Sequence, residues 1–279
     1  MADLTVDGSL GTGGAVCVVM VLNGAPVGLA LLAATAAGML AGLVTGLFHT
    51  ACGIPAILAG ILTQLALYSV NLRIMGFGTG GGKANLPISV DKYSLLVSAR
   101  YVRNVALNNP ILILVIFCAV LIAVLYWFFG TELGCSLRAT GANQNMARAQ
   151  GINTNVAKVL GLMISNGLVA LAGGLLAQYQ GFSDINMGRG AIVIGLAAVI
   201  IGEVIFSRIF RNFALKLLSA VIGAIIYYIV MVFVLRLGLS TDDLKLLTAL
   251  VVALFLTIPY WKGKYFTKTS VKKGEKNHA

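Results

Sequence analysis

Ile111-Leu-Ile-Leu-Val-Ile-Phe-Cys-Ala-Val-Leu-Ile-Ala-Val-Leu-Tyr-Trp-Phe-Phe129 carries no charge, no glycine and no proline. As a helix rising ~1.5 Å per residue it reaches about 28 Å, close to the ~30 Å of a bilayer's hydrocarbon core. Further blocks of that kind are Val27–Phe48, Ile54–Met75, Val156–Tyr179, Leu215–Leu235 and Leu244–Trp261. Two shorter blocks, Leu10–Leu22 and Ala191–Phe206, read as re-entrant or broken segments. The fold class expected is an all-α polytopic membrane protein of about seven to eight hydrophobic helices, two of them short or broken. The aromatic residues Tyr126, Trp127, Tyr260 and Trp261 fall at span ends, the position of an interfacial belt.

Composition agrees. Of 279 residues, 59% are hydrophobic and 10% charged, where a soluble domain has about 25% charged residues. So few charges would not cover a soluble surface, and so apolar a chain is not disordered. Glycine, at 33 residues, has no collagen-like period and points to close helix packing. Gly38-x-x-x-Gly42-x-x-x-Gly46 has the spacing for it, within one chain or across a dimer. The 20 basic residues against 9 acidic ones lie between apolar blocks and in a tail. They therefore encode orientation rather than nucleic-acid binding. The basic tail 262–279 marks the cytoplasmic side and is suited to anionic lipid headgroups. Counting back, Arg208 and Arg211 and the loop with Arg138 and Arg148 are cytoplasmic. The Asp242–Asp243 turn is outside. So is the Phe77–Pro110 loop, despite Lys83, Lys92, Arg100 and Arg103. The expected location is the cytoplasmic membrane, multi-pass, with residues 1–261 as one transmembrane domain. There is no secretory n-region at Met1.

Cys17, Cys52, Cys118 and Cys135 form no C-x-x-C pair, and His49 and His278 are far apart. No metal site and no nucleophile–base pair is expected. Phe77-Gly-Thr-Gly-Gly-Gly82 lacks the Lys-Ser/Thr of a phosphate loop, and no Walker A pattern occurs anywhere. The reading is a non-catalytic chain that binds no cofactor. If ATP is used, a partner hydrolyses it.

The cytoplasmic loop is the most specific segment. It reads Gly134-Cys-Ser-Leu-Arg-Ala-Thr-Gly-Ala-Asn-Gln-Asn-Met-Ala-Arg-Ala-Gln-Gly-Ile-Asn153. Asn143 is placed to cap a short helix through Gln150, and Gly151 to end it. Met146 and Ala147 are read as its exposed apolar points, a knob for a partner's groove. The pattern of Gly134, Arg138, Ala139, Gly141, Asn143, Ala147, Gly151, Ile152 and Asn153 resembles permease subunits of ATP-binding-cassette importers, in the branched-chain amino-acid and ribose superfamily. Asp3-Leu-Thr-Val-Asp-Gly-Ser9 resembles it too, as does Ile54-Pro-Ala-Ile-Leu-Ala-Gly-Ile-Leu-Thr-Gln-Leu-Ala-Leu-Tyr-Ser-Val-Asn-Leu-Arg-Ile-Met-Gly76, which is closest to the aromatic amino-acid subgroup. The likeness runs from about Asp3 to Trp261. It implies alternating-access import of a small solute, an amino acid and by subgroup an aromatic one. It also implies a cytoplasmic ATPase docked on Arg138, Gly141, Asn143, Met146, Ala147, Arg148 and Gly151, an extracytoplasmic solute-binding protein, and a homodimer. Family members usually carry a helix before the Asp3–Gly8 motif, so a misplaced start or a truncated, inactive permease is a further expectation.

Asp184-Ile-Asn-Met-Gly-Arg-Gly190 echoes Asp3-Leu-Thr-Val-Asp-Gly8, and each precedes a short apolar block, the pattern of an inverted repeat. Broken helices of this kind expose partly positive N–H groups at membrane depth, where they can face a carboxylate. The candidate pathway residues are Asp3, Thr5, Asp7 and Ser9 in the first segment, and Asp184 and Asn186 in the second. Within spans, Gln64, Tyr68 and Asn71 share one face, and Asn166 sits alone. Both are open to reading as helix–helix hydrogen bonding instead. Glu203 is read as an interfacial partner of Arg208 or as a proton relay. The alternative function is an ion- or proton-coupled secondary transporter, which would need buried acids of that kind.

Overall fold

The computed structural model describes residues 3–78, 81–89, 93, 95–98, 109–206 and 212–236, with isolated positions 246, 249–250, 253 and 257. The turn with Arg208 and Arg211, the Asp242–Asp243 turn, nearly all of the expected Leu244–Trp261 span, the basic tail, and Lys92, Arg100 and Arg103 lie outside the described residues.

The elements follow in chain order: α1 (Thr5–Leu22), α2 (Val27–Thr50), α3 (Ala56–Met75), β1 (Asn85–Pro87), α4 (Pro110–Gly130), α5 (Glu132–Ala142), α6 (Gln144–Ala149), α7 (Thr154–Gln180), β2 (Phe182–Asp184), α8 (Ala191–Phe206) and α9 (Phe213–Arg236). Six helices among the described residues, α1, α2, α3, α4, α7 and most of α9, are long and apolar enough to cross a membrane, and α8 is a shorter apolar helix of 16 residues. The chain is an all-α polytopic membrane protein. The expected block at Leu10–Leu22 starts earlier, at Thr5, so α1 is 18 residues long. Hydropathy places the start too late because Thr5 and Ser9 are polar. Both are fully buried and hydrogen-bonded inside the bundle.

The chain divides into two compact units, one ending at Ala191 and one starting at Ile192. The first is built on α1, α2 and α7, held at very short range by glycines. A Cβ at Gly13 would overlap the Ala170 carbonyl, and one at Gly173 the Leu10 carbonyl, so α1 and α7 meet backbone to backbone. The Gly38-x-x-x-Gly42-x-x-x-Gly46 stripe faces Asn166, Leu162 and Val159 in the same way. That stripe is therefore filled by α7 of its own chain. Without a hydrophobic drive in lipid, such close contact is what holds helices together. The order of the contacts also gives direction. Gly38 meets Asn166 and Gly46 meets Val159, so α2 is antiparallel to α7.

A two-stranded antiparallel ladder, Asn85↔Asp184 to Pro87↔Phe182, ties the loop after α3 to the end of α7. It brings the loop after α3 and the end of α7 to the same end of the helices. Gly181, at φ +77°, ends α7 in the left-handed region and lets the chain turn straight into β2. In the second unit, Gly202 and Gly223 allow α8 and α9 the same backbone-to-backbone approach around Ala197, Ile201, Tyr227 and Met231. Glu203 is exposed on α8, and its expected partner Arg208 is outside the described residues.

Candidate translocation site

Three groups of polar residues emerge in the first unit; two of them divide the pathway candidates, and the third holds the expected docking segment. The first is a cavity of about 250 Å³ between α1, α3 and the turn after β2. Gln64, Tyr68 and Asn71 line it together, as their spacing on α3 requires. Asp7 and Gly8 of α1 form a second wall, and Ile185 and Arg189 a third. Gln64 lies near the middle of the 20-residue α3, so the cavity is at membrane depth.

The path of the turn explains how Arg189 arrives there. Gly14 lies under the Met187 sulfur, Gly11 faces the Ile185 carbonyl, and Gly188 packs on the Asp7 carbonyl. The segment 185–190 thus runs down α1 toward its start, along a strip kept clear of side chains. It ends with the Gly190 N–H donating to Asp7 Oδ2 at 3.1 Å. Turns at Met187, Arg189 and Ala191, accepted by Asp184, Asn186 and Gly188, keep the segment compact. The two stretches that echo each other in sequence therefore touch in space. Asn71 is 2% exposed; its Nδ2 makes a long 3.4 Å bond to the Gly8 carbonyl, and its Oδ1 has no partner.

The second group is a hydrogen-bonded pin on the opposite side of α1. Ser9 Oγ donates to Asn166 Oδ1 at 2.6 Å, and Asn166 Nδ2 donates to Asp3 Oδ2 at 2.6 Å. Thr5 shares a 2.8 Å hydroxyl contact with Thr45 of α2. Thr5, Ser9 and Asn166 are fully buried, so these residues fasten α1 to α2 and α7 and do not line the cavity. Asp184 and Asn186 stay out of it as well. Asp184 is in the ladder and accepts from the Asn186 N–H at 2.7 Å.

The third group is α6, outside the spans. Asn143 Oδ1 accepts from Asn145 N at 3.0 Å and Met146 N at 3.2 Å, which caps the helix start. Gly151, at φ +80°, ends it, with the Ile152 N–H returning to the Ala147 carbonyl at 3.1 Å. Met146 is 65% exposed, but Ala147 is only 3% exposed. Ala147 is thus corrected from an exposed knob to a packing point, because α6 lies against α5 and α7 on its Ala147 side. Arg148 does not project freely either, since its Nε donates to Thr154 Oγ1 at 2.9 Å. Helix α5, which holds Arg138 and Gly141, was not expected. Thr131 caps it by accepting from Gly134 N at 3.3 Å, a signal that was readable in Thr131-Glu-Leu-Gly134. Arg138 and Gly141 are both exposed.

Residues 1–258 match the family model described as the permease component of branched-chain amino acid transport systems. The chain belongs to that permease family. A tyrosine transport system permease protein of Clostridioides difficile is 39% identical over 254 residues, covering 91% of this chain and 80% of that one. An uncharacterized protein of Rickettsia prowazekii is 35% identical, covering 92% of this chain and 87% of that one. An autoinducer 2 import system permease protein of Salmonella paratyphi B is 30% identical, covering 73% and 57%. No solved structure gives a significant match. This permease is thus a multi-pass transport subunit for a small solute. Gly8, Leu65, Ile185 and Arg189 line the cavity without having been candidates, and Arg189 is the charged one among them. It stood inside the echoed Asp184–Gly190 motif, but only the fold brings it to Asp7.

Proposed function

We propose that this permease is the membrane-spanning subunit of an ATP-driven importer that moves an amino acid, of the aromatic class, through the α1–α3 cavity by alternating access. Two copies form the pathway. A separate cytoplasmic ATPase docks on α6, and an extracytoplasmic binding protein delivers the solute. The similarity to a tyrosine system permease supports the cargo. The observation that carries the reading is α6 itself. It is a six-residue helix, too short to persist alone, held by a side-chain cap at one end and a left-handed glycine at the other, with Met146 thrust outward. Burying a methionine is worth about 1.5–3 kcal/mol.

Met146→Asp is the cleaner test, because Arg148 is engaged with Thr154. With the partner ATPase and binding protein in proteoliposomes, Met146→Asp should lower ATP-driven uptake by about tenfold or more, with insertion and yield unchanged. Wild-type uptake in that variant refutes docking at α6. Uptake driven by a pH gradient without the ATPase overturns the importer reading.

A further inference from the structure

We propose that one acyl chain of a membrane lipid occupies an apolar cavity between α4 and α7, as a structural ligand of the permease. The site is apart from the α1–α3 cavity and does not depend on the cargo. It measures about 340 Å³ and lies between the 114–121 stretch of α4 and the 168–179 stretch of α7, with Val97 beside them. Among the lining residues, the Cys118 thiol and the Tyr179 phenol are the polar side-chain groups. A buried water needs two to four polar partners, so this space stays dry. The reason it exists lies in α4. The helices α1, α2 and α7 close on one another through glycines, whereas Ile111–Phe129 carries none. Leucine and phenylalanine hold α4 off, and none of its apolar window is fully buried. Cys118 and Ala172, the small residues on the two facing helices, leave the hollow.

The dimensions select the occupant. From Leu168 to Tyr179 the wall extends about 16 Å along α7. A volume of about 340 Å³ over that length leaves a mean cross-section of about 20 Å². A helix with its side chains is ~10 Å across and needs roughly 80 Å², so a helix of a partner or of a second copy does not fit. Apolar groups in contact lie about 4.0–4.5 Å apart, so one extended hydrocarbon chain needs roughly 16–20 Å². The place agrees with the size. The far side of α4 is bare, with Val115 63% and Val120 56% exposed, so lipid surrounds this helix. Tyr179 stands just before Gly181 ends α7 and is partly exposed, where a tyrosine meets the headgroup region. An empty apolar void loses the dispersion contacts of its walls, and an acyl chain restores them. Helix α4 runs through Thr131 directly into α5, so the lipid also supports the element that leads to α6.

The test uses the full chain in nanodiscs of phosphatidylethanolamine and phosphatidylglycerol, with a phosphatidylglycerol carrying a diazirine midway along one acyl chain as the probe. Illumination followed by peptide mass spectrometry should place adducts both on the cavity residues Phe117, Cys118 and Ala172 and on the outward Val115 and Val120. Transfer to detergent and washing before illumination should cut the outward adducts at least tenfold and leave the cavity adducts within twofold. Ala172→Phe, which fills the hollow, should lower the remaining cavity adducts at least fivefold while Val115 and Val120 label as before in the nanodisc. Ala172→Leu is the milder variant if Ala172→Phe lowers folded yield, and should give a smaller loss of the same kind. Cavity residues that take no label in the nanodisc overturn the proposal on the wild type alone. So does cavity labelling that washes away as fast as the outward labelling, which is the result for bulk lipid only. A Cys118–Cys118 disulfide between two copies under mild oxidation also overturns it and assigns this face to a second copy.

Discussion

Asn166 offers a quantitative check on how α1 is held. Its amide joins α7 to α1 twice, accepting from Ser9 Oγ at 2.6 Å and donating to Asp3 Oδ2 at 2.6 Å, with a third bond to its own helix at Leu162 O, 3.0 Å. Interhelical hydrogen bonds in bilayers average ~0.6 kcal/mol and reach ~1.7. The Ser9 bond is neutral and is assigned the average. The Asp3 bond is charge-assisted and is assigned the upper value. Asn166→Ala should then cost about 2.3 kcal/mol before any cavity is counted, and Ser9→Ala about 0.6 kcal/mol. The double variant should cost less than the sum by about 0.6 kcal/mol. Asn166→Asp is nearly isosteric but replaces a donor with a second carboxylate against Asp3, so it should be worse than Asn166→Ala. The assay is reversible SDS unfolding in bicelles, followed by circular dichroism. A cost for Asn166→Ala within ~0.5 kcal/mol of zero, the range of an indifferent surface site, refutes the pin. So does Asn166→Asp being milder than Asn166→Ala.

Two further outcomes follow from packing and topology. A Cβ at Gly42 would overlap the Leu162 carbonyl, whereas one at Gly28 meets nothing within 4 Å. Gly42→Leu should abolish stable folded yield by size-exclusion chromatography, and Gly28→Ala should raise stability by about 0.5–1 kcal/mol, as read by thermal melting. Cys52, just past the end of α2, and Cys135 in α5 are exposed while Cys17 is buried. An impermeant maleimide should therefore label Cys52 and Cys135 from the cytoplasmic side only, in inside-out but not right-side-out vesicles, and should leave Cys17 unmodified in both.

The spans were legible because apolar length is a local property, and so was α6, whose cap residues Asn143 and Gly151 act on their immediate neighbours. The limits lay in the third dimension. The Gly38–Gly46 spacing announced a close contact but not its partner, which is α7 of the same chain. Ala147 looked exposed because a one-turn helix has too little sequence to define a buried face. Hydropathy cut α1 short at Leu10, since it counts Thr5 and Ser9 as polar without knowing that Thr45 and Asn166 receive them. The ten pathway candidates were chemically alike on paper. Only the fold separates Asp7, Gln64, Tyr68 and Asn71 in the cavity from Asp3, Thr5, Ser9 and Asn166 in the pin. Arg189 joins them from 182 positions beyond Asp7, and no local pattern reports that.

That separation gives α1 two faces with different work on the proposed reading. Asp3, Thr5 and Ser9 bind one side of its first turns to α2 and α7, while Asp7, between them in sequence, turns to the cavity. Four residues of helix span ~6 Å, so the pin and the cavity wall lie about one turn apart on a single rigid element. Asp3 also borders a second cavity, of about 290 Å³, whose other walls include Thr140, Gly141 and Gln144 at the α5–α6 junction and Lys158 of α7. The docking surface proposed on α6 and the Asp7 carboxylate are thus connected through α7 and the start of α1. A displacement of α6 by a closing ATPase would reach Asp7 through Asn166 as a rigid-body shift, the way packed and bistable contacts transmit motion. Loosening the pin, as in Asn166→Ala, should then uncouple ATP hydrolysis from uptake even where solute binding at the proposed site survives.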